Sequence, residues 1–144
     1  MDLDELRRQH AEIGLTARAL ERAVAEEYQP EGVARLRWQL ARQLLTHVAL
    51  EDRIFYPTLK RSPEASTRDH ATALERELGA LGERFRAYMT DWSDTRIGRE
   101  WQAFCVETRL ILDMLMERVG REDRLFDTLS QGRGIGRSPA ARSA

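Results

Sequence analysis

A single cysteine, Cys105, excludes an intrachain disulfide and suits a reducing compartment. No apolar run is long enough to span a bilayer, and the charged opening Met1-Asp2-Leu3-Asp4-Glu5 lacks the apolar region of a signal peptide. A net charge of −1 gives no long-range field to draw nucleic acid or an anionic membrane. No phosphate loop, zinc-finger spacing or nucleophile elbow occurs. These absences point to a cytoplasmic protein without a nucleic-acid or membrane partner. They also argue against an enzyme that turns over a dedicated organic substrate. The 144 residues, 42% hydrophobic and 33% charged, suffice for one soluble helix-rich domain with a proper core.

The apolar residues fall into four helical stripes. Leu3, Leu6, His10, Ile13, Ala17, Leu20 and Val24 alternate spacings of three and four, the mark of a helix with one buried face. After Gln29-Pro30-Glu31-Gly32 a second stripe runs through Val33, Leu36, Leu40, Gln43 and His47, with Leu50, Glu51 and Ile54 behind, and reaches about Lys60. Ser62-Pro63-Glu64 predicts a restart, Ser62 as cap and Pro63 at the first helical position. The third stripe is His70, Leu74, Leu78, Leu81, Phe85, Tyr88 and Trp92. Ser93-Asp94-Thr95 offers a turn and a cap before the fourth stripe: Trp101, Phe104, Thr108, Ile111, Leu115, Arg118, Glu122, Leu125 and Leu129. Short connections favour antiparallel neighbours, hence an all-α, up-down-up-down four-helix bundle over residues 1–131. Residues 132–144, rich in Gly, Ser, Ala and Arg, predict a disordered tail.

Polar residues interrupt these stripes at matching heights. His10 lies early in the first helix, His47 and Glu51 late in the second, His70 early in the third, and Arg118 and Glu122 late in the fourth. Alternating helix directions bring early and late positions to one end of a bundle. His47 and Glu51, one turn apart, share a face. Imidazole nitrogens and carboxylates converging in a core suit iron, manganese or zinc, and exclusion of bulk water leaves an open position for a small ligand.

This pattern resembles the hemerythrin-like (HHE cation-binding) family: a histidine on helix one, His-x-x-x-Glu on helix two, a histidine on helix three and His-x-x-x-Glu on helix four. Here it reads His10, His47-Val-Ala-Leu-Glu51, His70 and Arg118-Val-Gly-Arg-Glu122. Glu51-Asp52-Arg53-Ile54-Phe55-Tyr56-Pro57 is similar to the family's segment after the helix-two motif, and Glu122-Asp123-Arg124-Leu125-Phe126 echoes it. The resemblance implies a non-haem iron centre of one or two ions. His10 and His47 would hold one iron, Glu51 and Glu122 would bridge, and His70 would hold the second without a helix-four histidine. Its ligands would be dioxygen, peroxide or nitric oxide, sensed or bound, or the protein would simply hold iron. Leu74 stands where oxygen-carrying hemerythrins have a further histidine, so reversible oxygen transport is not implied.

Arg118 is the departure. A guanidinium stays protonated and has no lone pair for a metal, but it fits a carboxylate. It would either replace the second ion and neutralise Glu51 and Glu122, leaving one ion or none, or extend to the open end of the bundle with only its stem buried. Arg118-x-x-x-Glu122-Asp123, with His47 and Arg53-Ile54, also resembles regulator-of-sigma-D anti-sigma factors, which implies a metal-free regulator of a protein partner. Among smaller features, Cys105, Trp38 and Trp101 are read as packing residues, Trp92 as the end of the third helix, and Tyr56 as a core or rim tyrosine near the site mouth.

Overall fold

The structure, a computed structural model, describes the backbone of residues 3–25 and 30–143 and the side chains of 3–25 and 32–131. All regular structure among these residues is helical: α1 (Leu3–Ala23), α2 (Pro30–Leu50), a π-helical segment (Glu51–Phe55), α3 (Tyr56–Lys60), α4 (Ala65–Asp91), α5 (Asp94–Arg99) and α6 (Trp101–Ser143). The second expected helix is therefore α2, the π segment and α3 in one run. The tail expected at 132–144 lies outside the fully described residues. No helix is long and apolar enough to cross a membrane among the described residues.

The first stripe is buried as its periodicity requires: Leu3, Leu6, His10, Ile13, Ala17, Leu20 and Val24 all face inward. His10, early in α1, meets His47, late in α2, and Glu122, late in α6. At the other end of α1, the Val24 carbonyl accepts from Arg109, nearer the start of α6. α6 thus runs opposite to α1.

Two apolar clusters make up the core. The larger contains Ile13, Leu20, Leu40, Tyr88, Phe104, Ile111 and Leu115. The smaller contains Leu6, Phe55, Tyr56, Leu74 and Phe126. Gln9 and His10 on α1 and Glu122 on α6 fall between these clusters, so the site is a polar layer inside the core.

The π segment has a local cause. Pro57 has no N–H to donate, and its ring would crowd the carbonyl four residues back. The helix widens just before it, and the Tyr56 N–H donates to the Glu51 carbonyl, five residues back. The extra residue turns both Phe55 and Tyr56 fully into the core, while Ile54, expected on the stripe, is only half-buried.

Three other expectations are corrected. Helix α4 starts at Ala65 with Glu64 as its cap residue; the Ser62 hydroxyl accepts from the Glu64 N–H at 3.2 Å, before the helix proper. Trp38 is 62% exposed rather than packed. His70 is exposed on α4, because the inward apolar stripe there is Ala71, Leu74, Leu78, Leu81, Phe85, Tyr88 and Trp92, alternating three and four throughout, with Leu78, Leu81 and Phe85 half-buried. His70 lies one residue, about 100° of helix, off that stripe. Ser93 does cap α5, accepting from the Arg96 N–H at 3.2 Å, and Trp92 does end α4. Cys105 is buried, and burial pushes its thiol pKa up.

Candidate metal centre

Of the residues singled out in the sequence, the fold gathers His10, His47, Glu51, Arg118 and Glu122 into one buried layer. His70 is absent from it, being exposed. The three donor atoms offered by His10, His47 and Glu122 all lie within 4.8 Å of one another. His10 Nε2 is 2.9 Å from His47 Nε2 and 2.9 Å from Glu122 Oε1; His47 Nε2 is 3.4 Å from that same oxygen. Glu51 Oε1 stands 3.0 Å from His47 Nε2.

The outer ring nitrogens fix the tautomers. His10 Nδ1 lies 2.7 Å from Asp123 Oδ1, and a carboxylate only accepts, so the proton is on Nδ1. His47 Nδ1 lies 2.8 Å from Gln9 Oε1. The Gln9 amide is oriented by its own NH₂, which donates to Glu5 at 3.4 Å and so leaves the carbonyl oxygen for His47. In the neutral rings both Nε2 atoms then carry lone pairs, aimed at each other and at Glu122. Such outer contacts are what orient metal-ligating histidines. Gln9 is not among the candidate site residues of the sequence, and Asp123 enters there only within the Arg118-x-x-x-Glu122-Asp123 motif; Gln9 sits beside His10 and is polar on a buried edge.

Three converging lone pairs repel unless a cation or a shared proton lies among them. Donors about 2.1 Å from an ion stand about 3.0 Å apart at right angles and about 3.4 Å apart at tetrahedral angles. The observed separations of 2.9, 2.9 and 3.4 Å are close to those values. Glu51 adds a second sign. It is 0% exposed, yet neither carboxylate oxygen has a partner in hydrogen-bonding geometry among the described residues. His47 Nε2 faces three acceptors and has at most one proton, so it cannot satisfy them all. A buried carboxylate without donors is costly, and an ion would relieve it. The donor set fits a cation of the iron, manganese or zinc kind.

Without an ion, protons hold the layer together. Burial opposes a charge on His47, but Glu122 and Glu51 outweigh it and raise its pKa to about 9. Burial raises Glu51 to about 7, against the opposing pull of His47. Glu122, also buried, is nonetheless held well below the usual carboxylate range by His10, His47, Glu51 and Arg118.

Arg118 is buried rather than extended to solvent. Its Nε donates to Glu122 Oε2 at 2.6 Å, and its Nη2 donates to the Tyr56 hydroxyl. That hydroxyl donates in turn to Glu122 Oε2 at 3.4 Å. The two bonds to Glu122 Oε2 leave Oε1 directed at the histidines. Tyr56 is thus a fully buried member of the layer, placed there by the π segment, and burial pushes its pKa up.

The family model of the hemerythrin HHE cation-binding domain matches residues 1–129. No match was found among curated proteins or among solved structures. The matched span takes in every helix that contributes to the polar layer, and the chain belongs to the hemerythrin HHE cation-binding domain family.

Proposed function

We propose that this chain holds a single non-haem cation, iron being the ion most used by its family, through His10, His47 and Glu122, with Glu51 as a fourth donor. The convergence of two oriented Nε2 lone pairs and one carboxylate oxygen carries the reading. Arg118 takes the place of a second ion. It brings a fixed positive charge to the side of Glu122 where the family pattern has a histidine, and exposed His70 offers no ligand there. A bound ferrous ion would supply an open coordination position for dioxygen, peroxide or nitric oxide, so the protein would sense or bind such a molecule, or hold iron. The surrounding apolar clusters exclude water. Tyr56 and Arg118 fix the orientation of Glu122, and Asp123 and Gln9 fix the two rings.

Metal per chain, measured on protein purified without chelator and again after anaerobic ferrous loading, tests this. Near one iron, without oxo-bridge charge-transfer bands, is expected. Near two irons would show that Arg118 moves aside and would overturn the single-ion reading.

A second reading has its own support. The Arg118–Glu122–Tyr56 contacts and a proton on His47 satisfy much of the layer with no ion. On that reading the protein is a metal-free regulator of a protein partner, such as a sigma factor. No metal before or after loading would favour it, and a sigma-factor pulldown would follow.

A further inference from the structure

Helix α2 carries two apolar stripes. Val33, Leu36, Leu40 and Leu44 face inward and pack in the larger core cluster. Ala34, Trp38, Ala41, Leu45 and Val48 repeat at four, three, four and three, roughly a third of a turn further round the helix. That seven-residue repeat is the seam by which one helix packs on another. The second stripe has no such cover among the described residues: Trp38 is 62% exposed and Leu45 74%. Large apolar side chains left in water in one row mark an interaction surface.

A cleft of about 300 Å³ opens beside this stripe, between α2 and α4. Trp38 and Leu45 stand on its α2 side, and Gly82, Phe85 and Met89 on its α4 side. Gly82 keeps it wide, since a Cβ there would meet no atom within 4 Å. The polar layer lies beneath, with both Glu51 oxygens and Arg118 Nη1 closed to solvent, so the cleft offers an occupant its apolar walls. A cavity of this size takes a ring-sized group.

A knob and a hole side by side on one face suit a second copy of the chain. In a two-fold pair the same surface meets itself, so each indole enters the opposite cleft and no further feature is required. An unrelated partner would have to bring a knob and a hole of its own. Charge does not oppose the pairing. The net charge is −1, and Glu83 and Arg86, exposed at the α4 rim, pair with each other at 3.0 Å.

We propose that the chain forms a two-fold dimer through α2 and α4, with Trp38 of each copy seated in the cleft of the other and Leu45 packed beside it. The seated indole would stand between the polar layer and solvent. The proposal does not rest on the cation reading, because neither the stripe nor the cleft needs an ion.

Sedimentation equilibrium of the full chain from about 1 to about 200 µM, with chelator and separately after iron loading, tests it over the range of a modest interface. A monomer–dimer equilibrium is expected within that range in both samples. Trp38→Ala should weaken it about tenfold or more, as for a tryptophan at the centre of an interface. Gly82→Leu, which fills the cleft, should do the same, and both variants should keep the helical circular dichroism and the urea midpoint. A mixture of the two variants should associate more tightly than either alone. The open cleft of the first receives Trp38 of the second, and the truncated side chain faces the filled cleft. A monomer at every concentration would leave the cleft to another occupant and overturn the proposal. A dimer indifferent to Trp38→Ala would move the interface elsewhere, such as to exposed Val106, Leu110 and Met114 on α6, and overturn it as well. Loss with Trp38→Ala but not with Gly82→Leu would reduce the contact to paired stripes and overturn the seating of the indole. None of these outcomes depends on how many ions elemental analysis finds, so this proposal and the cation reading fail separately.

Discussion

Among the described residues the bundle buries two arginines, Arg37 and Arg118, and holds them by opposite means. Arg37, beside the larger apolar cluster, makes no ion pair with a carboxylate among the described residues, though the charge of Asp94 acts on it. Its guanidinium donates to the carbonyls of Trp92 at 3.0 Å, Tyr88 at 3.3 Å and Met89 at 3.4 Å, at the C-terminal end of α4. It also lies over the rings of Tyr88 and Phe104, 4.8 and 5.4 Å from their centroids. Helix ends leave carbonyls unpaired and carry partial negative charge, so this cation closes α4 from inside the core. Burial lowers its pKa. Arg118, in contrast, is held by Glu122 and Tyr56, and its pKa is raised despite burial. Arg37 completes a helix; Arg118 balances a carboxylate that also faces two histidines. A buried arginine is therefore no sign of a binding site by itself. The partner decides.

The comparison breaks most visibly at Arg37. Arg37→Met should cost about 3 kcal/mol or more of unfolding free energy, since three carbonyls lose a charged donor. Denaturant unfolding measures this, and metal per chain should not change. Loss of metal binding in a folded Arg37→Met protein would mean the two ends are coupled.

A pH series gives the next effect. His47 has a folded pKa of about 9, above the ordinary 6.5, so its contribution is complete below 6.5 and disappears as pH rises through 9. Glu51, raised from 4.5 to about 7, works in the same direction: its contribution is complete below 4.5 and gone above 7. Glu122, lowered, contributes above 4.5 and loses that only in acid. The ion-free protein should therefore lose stability between pH 6 and 9, with His47 accounting for about 3 kcal/mol. A bound cation requires the deprotonated donors, so iron-loaded protein should show a flat or rising trend over the same range. Urea midpoints with chelator and with iron read the difference; identical slopes would count against His47 as a ligand.

Arg118→Met sharpens the contrast with Arg37. It should cost about 2 kcal/mol without an ion, because Glu122 keeps His10 and His47 but loses its fixed cation. Iron should restore most of that, as no ion could for Arg37→Met. Thermal unfolding with and without iron is the measurement, and an unrecovered loss would place Arg118 with Arg37 as a purely structural cation.

The smallest effect belongs to His70. His70→Ala should change stability by less than about 0.5 kcal/mol and leave bound iron unchanged, as for an exposed helical side chain. A fall in iron per chain would bring it back into the site.

His70 also shows why part of the site could not be taken from the sequence as first read. Its spacing to Leu74 is helical, but Leu74 and Leu78 are also four apart, and two successive fours break the three-four alternation that Ala71 preserves. Alanine is a weak marker of burial, so histidine took its place in the stripe. Arg37 hid for the opposite reason. Its charge suggested solvent, and only packing against the end of α4 gives it partners.

The sequence alone determined an all-α chain of amphipathic helices and put His10, His47, Glu51, Arg118 and Glu122 on their inward stripes, with His70 wrongly among them. These follow from the three-four periodicity of the apolar residues. Tertiary structure decided which neighbours those groups meet. It tied the two rings through Asp123 and Gln9, turned Tyr56 inward through the π segment, and set Glu51 beside His47 with no hydrogen bond of acceptable geometry among the described residues. It also opened the cleft between α2 and α4. Such details depend on contacts between residues up to 113 positions apart, as for His10 and Asp123, and no local spacing encodes them.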